Sequence, residues 1–444
     1  MGRSTRGGAD DGTPTSCRAE HAGRLPLPTA ELVGSRAGGI HARTIEILDQ
    51  RGIADRFLAA GRTAQTARFG TTVLDIGDLP TRHPYGLALW QDRMEPILAG
   101  WVDELGVPTR RGAEVVGVDQ DEEGVDVRLA DGGTARARSL VGADGGRSLV
   151  RREAGIAFPG AAATRSTLIA EVEVGEEPPA GMRQDAAGVH GLQRLADGRT
   201  YRVVTTEARL TVGDAPTLAD LGAALTAAFG TDFGVHRPTW ISRFTDATRQ
   251  ATEYRRDRIL LAQVVHGTSH DRLLDAYGAE RHPAGARALE HSMAQTVLQR
   301  ADDRTAALTS TIDELMRMHE PRIRIGALIH GLDVAYEPGG VHPLVGRRMP
   351  DLDLTTHEGP TRVFALLHEA RHLLLQLGEP GRFDRMRIPD RVRLVDASCS
   401  GAWELPVIGR VAAPTAVLVR PDGHVAWADG DAEHPLQAAL QRWC

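Results

Sequence analysis

Between residues 113 and 146 the chain is punctuated so regularly that few folds can hold it. AEVVGVDQ, a DEEG turn, GVDVRLA, a DGG turn and TARARSLVGADGG follow one another, and each apolar run is short and alternating. Runs of this kind, separated by Gly- and Asp-containing turns, form an antiparallel three-stranded meander. Its last segment leads into a buried strand over 139–142, which passes directly into Ala143, Asp144, Gly145 and Gly146. An acid and a flexible turn therefore stand at a strand's carboxyl end, the place where open α/β sheets take ligands.

Around this segment the periodicity changes. In HARTIEILDQRGIADRFLAAG, Ile45, Leu48, Ile53, Phe57 and Leu58 recur at helical spacing and Gly52 interrupts or ends the first helix. A second helix is expected over 94–105. Strand-like alternation returns at 166–174 and 200–206, and WISRFTDATRQATEYRRDRILLA runs from a long strand into an apolar one. This middle block reads as a mostly antiparallel sheet that serves as a substrate lobe. Helices resume at Asp271, with Pro283 expected to kink or restart them. From about Pro343 a distinct unit follows: a helix over 363–371, the strands HLLLQL and RVRLVDA, and the hairpin TAVLVRPDGHVAW, in a thioredoxin-like order. Its own strands, helix and hairpin predict independent folding. The opening, polar and rich in Gly and Pro, reads as disordered to about Thr29.

Composition narrows the function classes. A net charge of -7, with Asp, Glu and Arg evenly scattered, leaves no basic stripe for nucleic acid. No stretch reaches the ~20 apolar residues of a membrane span, and the opening has no apolar core of the secretory kind. Cys17, Cys399 and Cys444 are far apart and form no CxxC, so a reducing cytoplasm is expected, and the lone Cys399 of the C-terminal unit lacks a resolving partner for thiol exchange. His368, Glu369 and His372 spell HExxH, but Leu373, Leu374 and Leu375 already look like strand, so no zinc site is assigned. His266 and His270 read as solvated.

Several long segments, in order, resemble the class A flavoprotein aromatic monooxygenases, among them the rifampicin-type and angucycline hydroxylases. They are SRAGGIHARTIEILDQRG at 35–52, LVGADGGRSLVRREAGI, FGTDFGVHRPTWISRFTDATRQATEYRRDRILLA, LLDAYGAERHPAG, VHPLVGRRMPDLDL and VLVRPDGHVAW. The resemblance implies an α/β fold: a three-layer, Rossmann-like FAD lobe (31–165 and 256–342), an antiparallel substrate sheet (166–255) and a thioredoxin-like domain (343–444). It implies FAD as cofactor, NADPH as reductant and a small phenolic, naphthoquinone or polyketide substrate. It places Arg36 near the flavin phosphates with Arg43 as a second candidate, because guanidinium forms paired charge-assisted bonds to phosphate. Gln91, in LWQDRMEPIL, matches a glutamine near the ribityl chain. Asp144 and Gly145 match a DG motif close to the dinucleotide and linked to NADPH handling. Arg202, in YRVV, is the candidate substrate contact; as a lone strand arginine its plainer reading is surface exposure. A structural or oligomer-contact role for the C-terminal unit would suit a homodimer.

Two departures bear on activity. The residues before Ser35 carry no GxGxxG turn, whose glycines and following helix hold the dinucleotide's pyrophosphate, and Glu31 is the only nearby acid for a ribose. Within RILLAQVVHG, Ala262 joins directly to Gln263, where the family has a glycine-aspartate turn, a loop and a helix, roughly 30 residues. Both departures predict weak FAD binding. The alternative function is a flavin-free remnant that still binds an aromatic ligand, and a product with no stable fold is the third reading.

Overall fold

The computed structural model of the protein describes residues 24–27, 37–185, 187–213, 215–262, 271–300, 302–336, 342–430 and 435–444. The expected meander is present: Val115–Gln120, Val125–Leu129 and Thr134–Ala137 pair antiparallel in that order. Val118, Val125, Val127 and Leu129 alternate inward and meet Leu140, Val150, Ile156, Ile259 and Leu261 in one core. The strand Leu140–Gly142 runs parallel to Ile259–Leu261, Leu140 opposite Ile259 and Gly142 opposite Leu261. Arg24–Leu27 pairs parallel with Thr109–Arg111 in a separate two-stranded sheet. This strand corrects the expected disorder at that point. The rest of the opening, to Arg36, lies outside the described residues, as does 263–270, which carries the Gln263 junction, His266 and His270.

The middle block is a five-stranded antiparallel sheet. Its order is Gly181–Gln184, Val189–Arg194, Thr200–Thr206, Ser166–Glu173, His236–Thr245. Leu168, Ala170, Val172, Leu192 and Val203 face the helix Leu218–Phe229 and pack on its Leu221 and Leu225. That helix is fixed at both ends: Thr217 and Asp220 cap each other's backbone N–H groups, and Gly230 closes it at φ +81. By alternation, Ile169, Glu171, Arg202, Val204, Trp240 and Ser242 point to the opposite face.

Asp271–Leu298 is one continuous helix through Pro283, so the expected restart does not occur. A proline removes one backbone donor from a helix, and here the long flanking turns carry the helix past it. The helices Asp303–Met316 and His319–Ile329 follow. In the C-terminal unit six strands align as Gly359–Arg362, Asp353–Thr356, Val392–Cys399, His372–Gln376, Ala416–Val419 and Val425–Ala428, and the helix Leu436–Trp443 packs on one face. The helix expected over 363–371 is only Val363–Leu366. Ala370 turns left-handed at φ 54, and the fully buried Leu373, Leu374 and Leu375 need the strand. His372 therefore opens a strand, and His368 packs instead near Gly52.

The C-terminal unit grips the first helix, Ala42–Asp49, through charge. Arg348 and Glu46, 2% and 1% exposed, form a 2.8 Å ion pair, and Arg348 also donates to the carbonyls of Leu332 and Pro80. Arg362 bridges Asp49 and Asp351, and His83 adds a 2.9 Å contact to Asp49. The hairpin turn 420–424 docks alongside: Arg51 donates to the Pro421 carbonyl at 2.7 Å, and Gly423 lies against Gln50. Burial alone would raise the Glu46 carboxyl, but the Arg348 and Arg43 guanidiniums outweigh it and hold its pKa below the usual range.

Candidate active site

The turn after the SRA motif and the start of the helix Gln91–Glu104 are stitched together. The Gln91 N–H donates to the Ala37 carbonyl at 3.0 Å, the Ala37 N–H approaches Gln91 Oε1 at 3.4 Å, and the Leu89 N–H donates to the Gly38 carbonyl at 3.2 Å. The helix thus begins three residues before the expected 94, which places Gln91 in its first turn. Gln91 Nε2 donates to Glu95 at 2.8 Å, so the amide is oriented. Gly38 is required here, because a Cβ would lie 2.8 Å from the Trp90 ring.

Trp90 carries this corner across to the middle sheet. The Arg202 guanidinium lies 3.8 Å from the Trp90 ring centroid, a cation–π contact worth about 0.5–2 kcal/mol. Arg202 also pairs with Glu171, its cross-strand neighbour, and is 5% exposed. The exposed-strand reading of this arginine is therefore incorrect: the Trp90 indole covers it. Among the described residues its Nε and Nη1 have no hydrogen-bond partner, and neither has the buried Nε1 of Trp240, which stands opposite Glu171 on its other side. The residues from Ala37 through Gln91, Trp90, Arg202 and Glu171 to Trp240 form one seam, where the non-helical face of the sheet meets the first lobe.

The other sequence candidates lie apart from this seam. Asp144 accepts from Ser148 Oγ at 2.5 Å and from the Val150 N–H at 3.1 Å, which fixes the turn after Leu140–Gly142. Gly145 adopts φ 78, and a Cβ on Gly145 or Gly146 would meet nothing within 4 Å, so a ligand can approach this backbone. Arg43 donates to Glu46 and to the Asp422 carbonyl, both at 3.0 Å, so a phosphate oxygen would have to compete with both. Arg36 lies outside the described residues. His330 accepts from the Ala42 N–H at 3.1 Å at the start of the first helix; burial, with His41 beside it, lowers its pKa to about 4 and keeps it neutral. Among the described residues no cluster of three His, Cys, Asp or Glu side chains could hold a metal ion, and no helix is long and apolar enough to cross a membrane.

Trp90, Glu171 and Trp240 were not singled out from the sequence. Glu171 left a trace, as one of two glutamates in the strand-like STLIAEVEV, but only the strand register shows that it faces Arg202 and Trp240.

A dinucleotide fits the described residues in part. Open backbone at Gly145 and Gly146 and the oriented amide of Gln91 suit a flavin's polyol and ring side, while no glycine-rich turn for its phosphates is among them. The fold is that of a flavoprotein aromatic-ring hydroxylase, and the chain belongs to that family. Residues 28–262 match the FAD binding domain and residues 342–444 match the C-terminal domain of aromatic-ring hydroxylases. The chain is 37% identical to the rifampicin monooxygenase of Streptomyces venezuelae, over 92% of this chain and 90% of that one. It is 35% identical to the 12-dehydrotetracycline 5-monooxygenase/anhydrotetracycline 6-monooxygenase of Streptomyces rimosus, over 98% and 97%. The crystal structure of an aromatic hydroxylase from angucycline biosynthesis superposes with a TM-score of 0.84 at 32% identity, over 94% of this chain and 92% of that one.

Proposed function

We propose that the protein is an FAD-dependent, NAD(P)H-using monooxygenase that hydroxylates an aromatic polyketide, phenolic or naphthoquinone substrate, and that it holds FAD weakly. The observation that carries this reading is the seam itself. A half-polar sheet face, with Ile169 and Val204 beside Arg202 and Glu171, meets the corner that orients Gln91. The named relatives act on rifampicin and on 12-dehydrotetracycline and anhydrotetracycline, which supports a fused-ring substrate on this face. Arg36, Gln91, Asp144 and Gly145 would hold the cofactor, with Arg43 steadied by Glu46. Bound FAD would supply the oxidation: NAD(P)H, a proton and dioxygen are consumed, one oxygen atom enters the ring and the other leaves as water. The protein's part is to hold the ring carbon in line and keep water away from it, which the burial under Trp90 serves.

The second reading, a flavin-free aromatic binder, is favoured by one feature. Strand Leu140–Gly142 has a single paired neighbour among the described residues, and Val141 is 48% exposed on that strand, where the family's sheet would be continuous. FAD titrated into the purified chain, followed by NADPH consumption with a naphthoquinone present, separates the two. Saturable FAD binding with quinone-stimulated NADPH oxidation is expected. Binding of the quinone without binding of FAD would leave the second reading in place.

A further inference from the structure

Three side chains that ring oxygenation leaves unused are joined in the order hydroxyl, imidazole, carboxylate. The Tyr85 N–H donates to the His83 carbonyl at 2.8 Å, so His83, Pro84 and Tyr85 close a γ-turn and the two rings meet nearly at right angles, centroids 5.6 Å apart. His83 Nδ1 lies 2.7 Å from the Tyr85 hydroxyl, and His83 Nε2 lies 2.9 Å from Asp49 Oδ2. Asp49 is itself fixed by Arg362, which donates to Oδ2 at 2.8 Å and to Oδ1 at 2.6 Å and is anchored in turn on Asp351. A carboxylate held this way accepts and cannot donate, so Nε2 of the neutral imidazole carries the proton. Nδ1 is then left as an acceptor for the phenol.

Burial divides the roles. His83 is 8% exposed, whereas Tyr85 is half-buried, so the phenol is the member that borders solvent. Tyr85 packs at the edge of the apolar cluster around Ile53, Phe57 and Leu87. Burial, with Asp49 and the Asp55 carboxylate of the helix Ala54–Ala60 near it, raises the phenol above its usual range. The phenol is therefore neutral at rest, and its proton has to leave as the oxygen attacks, which is the task of a general base.

We infer that Tyr85, His83 and Asp49 form a nucleophilic site in which Tyr85 takes a short acyl group from a neutral activated ester. The apolar edge suits a short uncharged chain, and the two nearby carboxylates disfavour an anionic donor. Tyr85 Oη forms a bond to the acyl carbon while its proton passes to His83 Nδ1, and the ester C–O bond breaks with its electron pair leaving on the departing oxygen. Asp49 positions His83 and stabilises the imidazolium without taking the proton, as the acid of a hydroxyl–histidine–carboxylate triad does. The imidazolium then gives its proton to water, leaving an O-acyl tyrosine. Neither FAD nor NADPH enters this chemistry, so it stands apart from the proposed oxygenation.

The test uses p-nitrophenyl acetate with the full chain and no flavin. Release of p-nitrophenolate is followed over a range of pH, and peptide mass mapping locates the acetyl group. The chain has no lysine, so the usual competing acceptor is absent. Tyr201, Tyr254 and Tyr336 are buried and the Tyr277 hydroxyl donates to the Leu261 carbonyl at 2.9 Å, so these four serve as internal controls. Acetylation is expected on Tyr85, at a rate that levels off once His83 has lost its proton. A phenol reacting through exposure alone would instead keep accelerating toward its ordinary pKa of about 10. His83→Gln should slow the step by about 100-fold or more, the span of general-base catalysis, and Tyr85→Phe should abolish it. Circular dichroism checks that the variants fold, and the pH profile of the unaltered chain decides the matter should His83→Gln not fold. Acetylation of Tyr85 that keeps rising to pH 10, or that is as fast in folded His83→Gln, overturns the inference, as does an acetyl group found only on other residues.

Discussion

Arg348 and Glu46 show how a single buried pair can join two parts of this chain. Each is shut from water, and the pair is supported by Thr81 Oγ1 donating to Glu46 at 2.6 Å and by Arg43. Removing one member leaves the other charge buried without its main partner, which costs about 3–5 kcal/mol, whereas a solvated pair is worth about 1 kcal/mol or less. Arg348→Met should therefore lower the urea midpoint by an amount in the larger range, and adding Glu46→Leu should recover much of it. A loss in the smaller range would mean that the pair is solvated. The HARTIEILD spacing made Ile45 and Leu48 legible as core, but it gave no reason for Glu46 to be buried, because its partner lies about 300 residues away in sequence. Arg202 is legible as a strand residue, but its burial depends on Trp90, which is also far from it in the chain.

The elements were legible where their signal was local. The meander, the Thr200–Thr206 strand and the Ala416–Val419 and Val425–Ala428 hairpin follow from period-two alternation and turn residues, and they stand where that pattern put them. The C-terminal helix was overextended because helical spacing persisted past Leu366, while the strand's burial, which decided the outcome, is a tertiary effect. The PDG turn of the hairpin is more than a connector. Gly423 sits at φ 78, and a Cβ there would lie 2.5 Å from the Gln50 amide. Gly423→Ala should cost about 1–3 kcal/mol through backbone strain, with added loss from the displaced Gln50. Thermal unfolding measures this; an unchanged midpoint would show that the turn does not dock on the first helix.

For the whole molecule, buried histidines set a pH dependence. Burial lowers His330, His372 and His424 to about 4, so each is neutral in the folded chain over most of the acid range. Unfolded, each titrates near 6.5. Below that pH the unfolded chain binds more protons than the folded one, so stability falls as the pH drops from about 6.5 toward 4. Asp49, lowered to about 2 by His83 and Arg362 against its own burial, extends the loss below pH 4 as its carboxylate is protonated. The unfolding midpoint should therefore decline steadily between pH 7 and pH 4.5; a flat profile would contradict neutral burial of the histidines. This chain, whose sequence shows neither a GxGxxG turn before Ser35 nor the family's stretch after Ala262, is proposed to oxygenate an aromatic ring when FAD is supplied in excess. The most direct measurement is mass spectrometry of a hydroxyquinone incubated with the chain, excess FAD and NADPH under isotopically labelled dioxygen. The expected result is a product carrying one labelled oxygen atom, formed only when FAD and the protein are both present. An unaltered quinone, bound by the protein but never oxygenated, would contradict it.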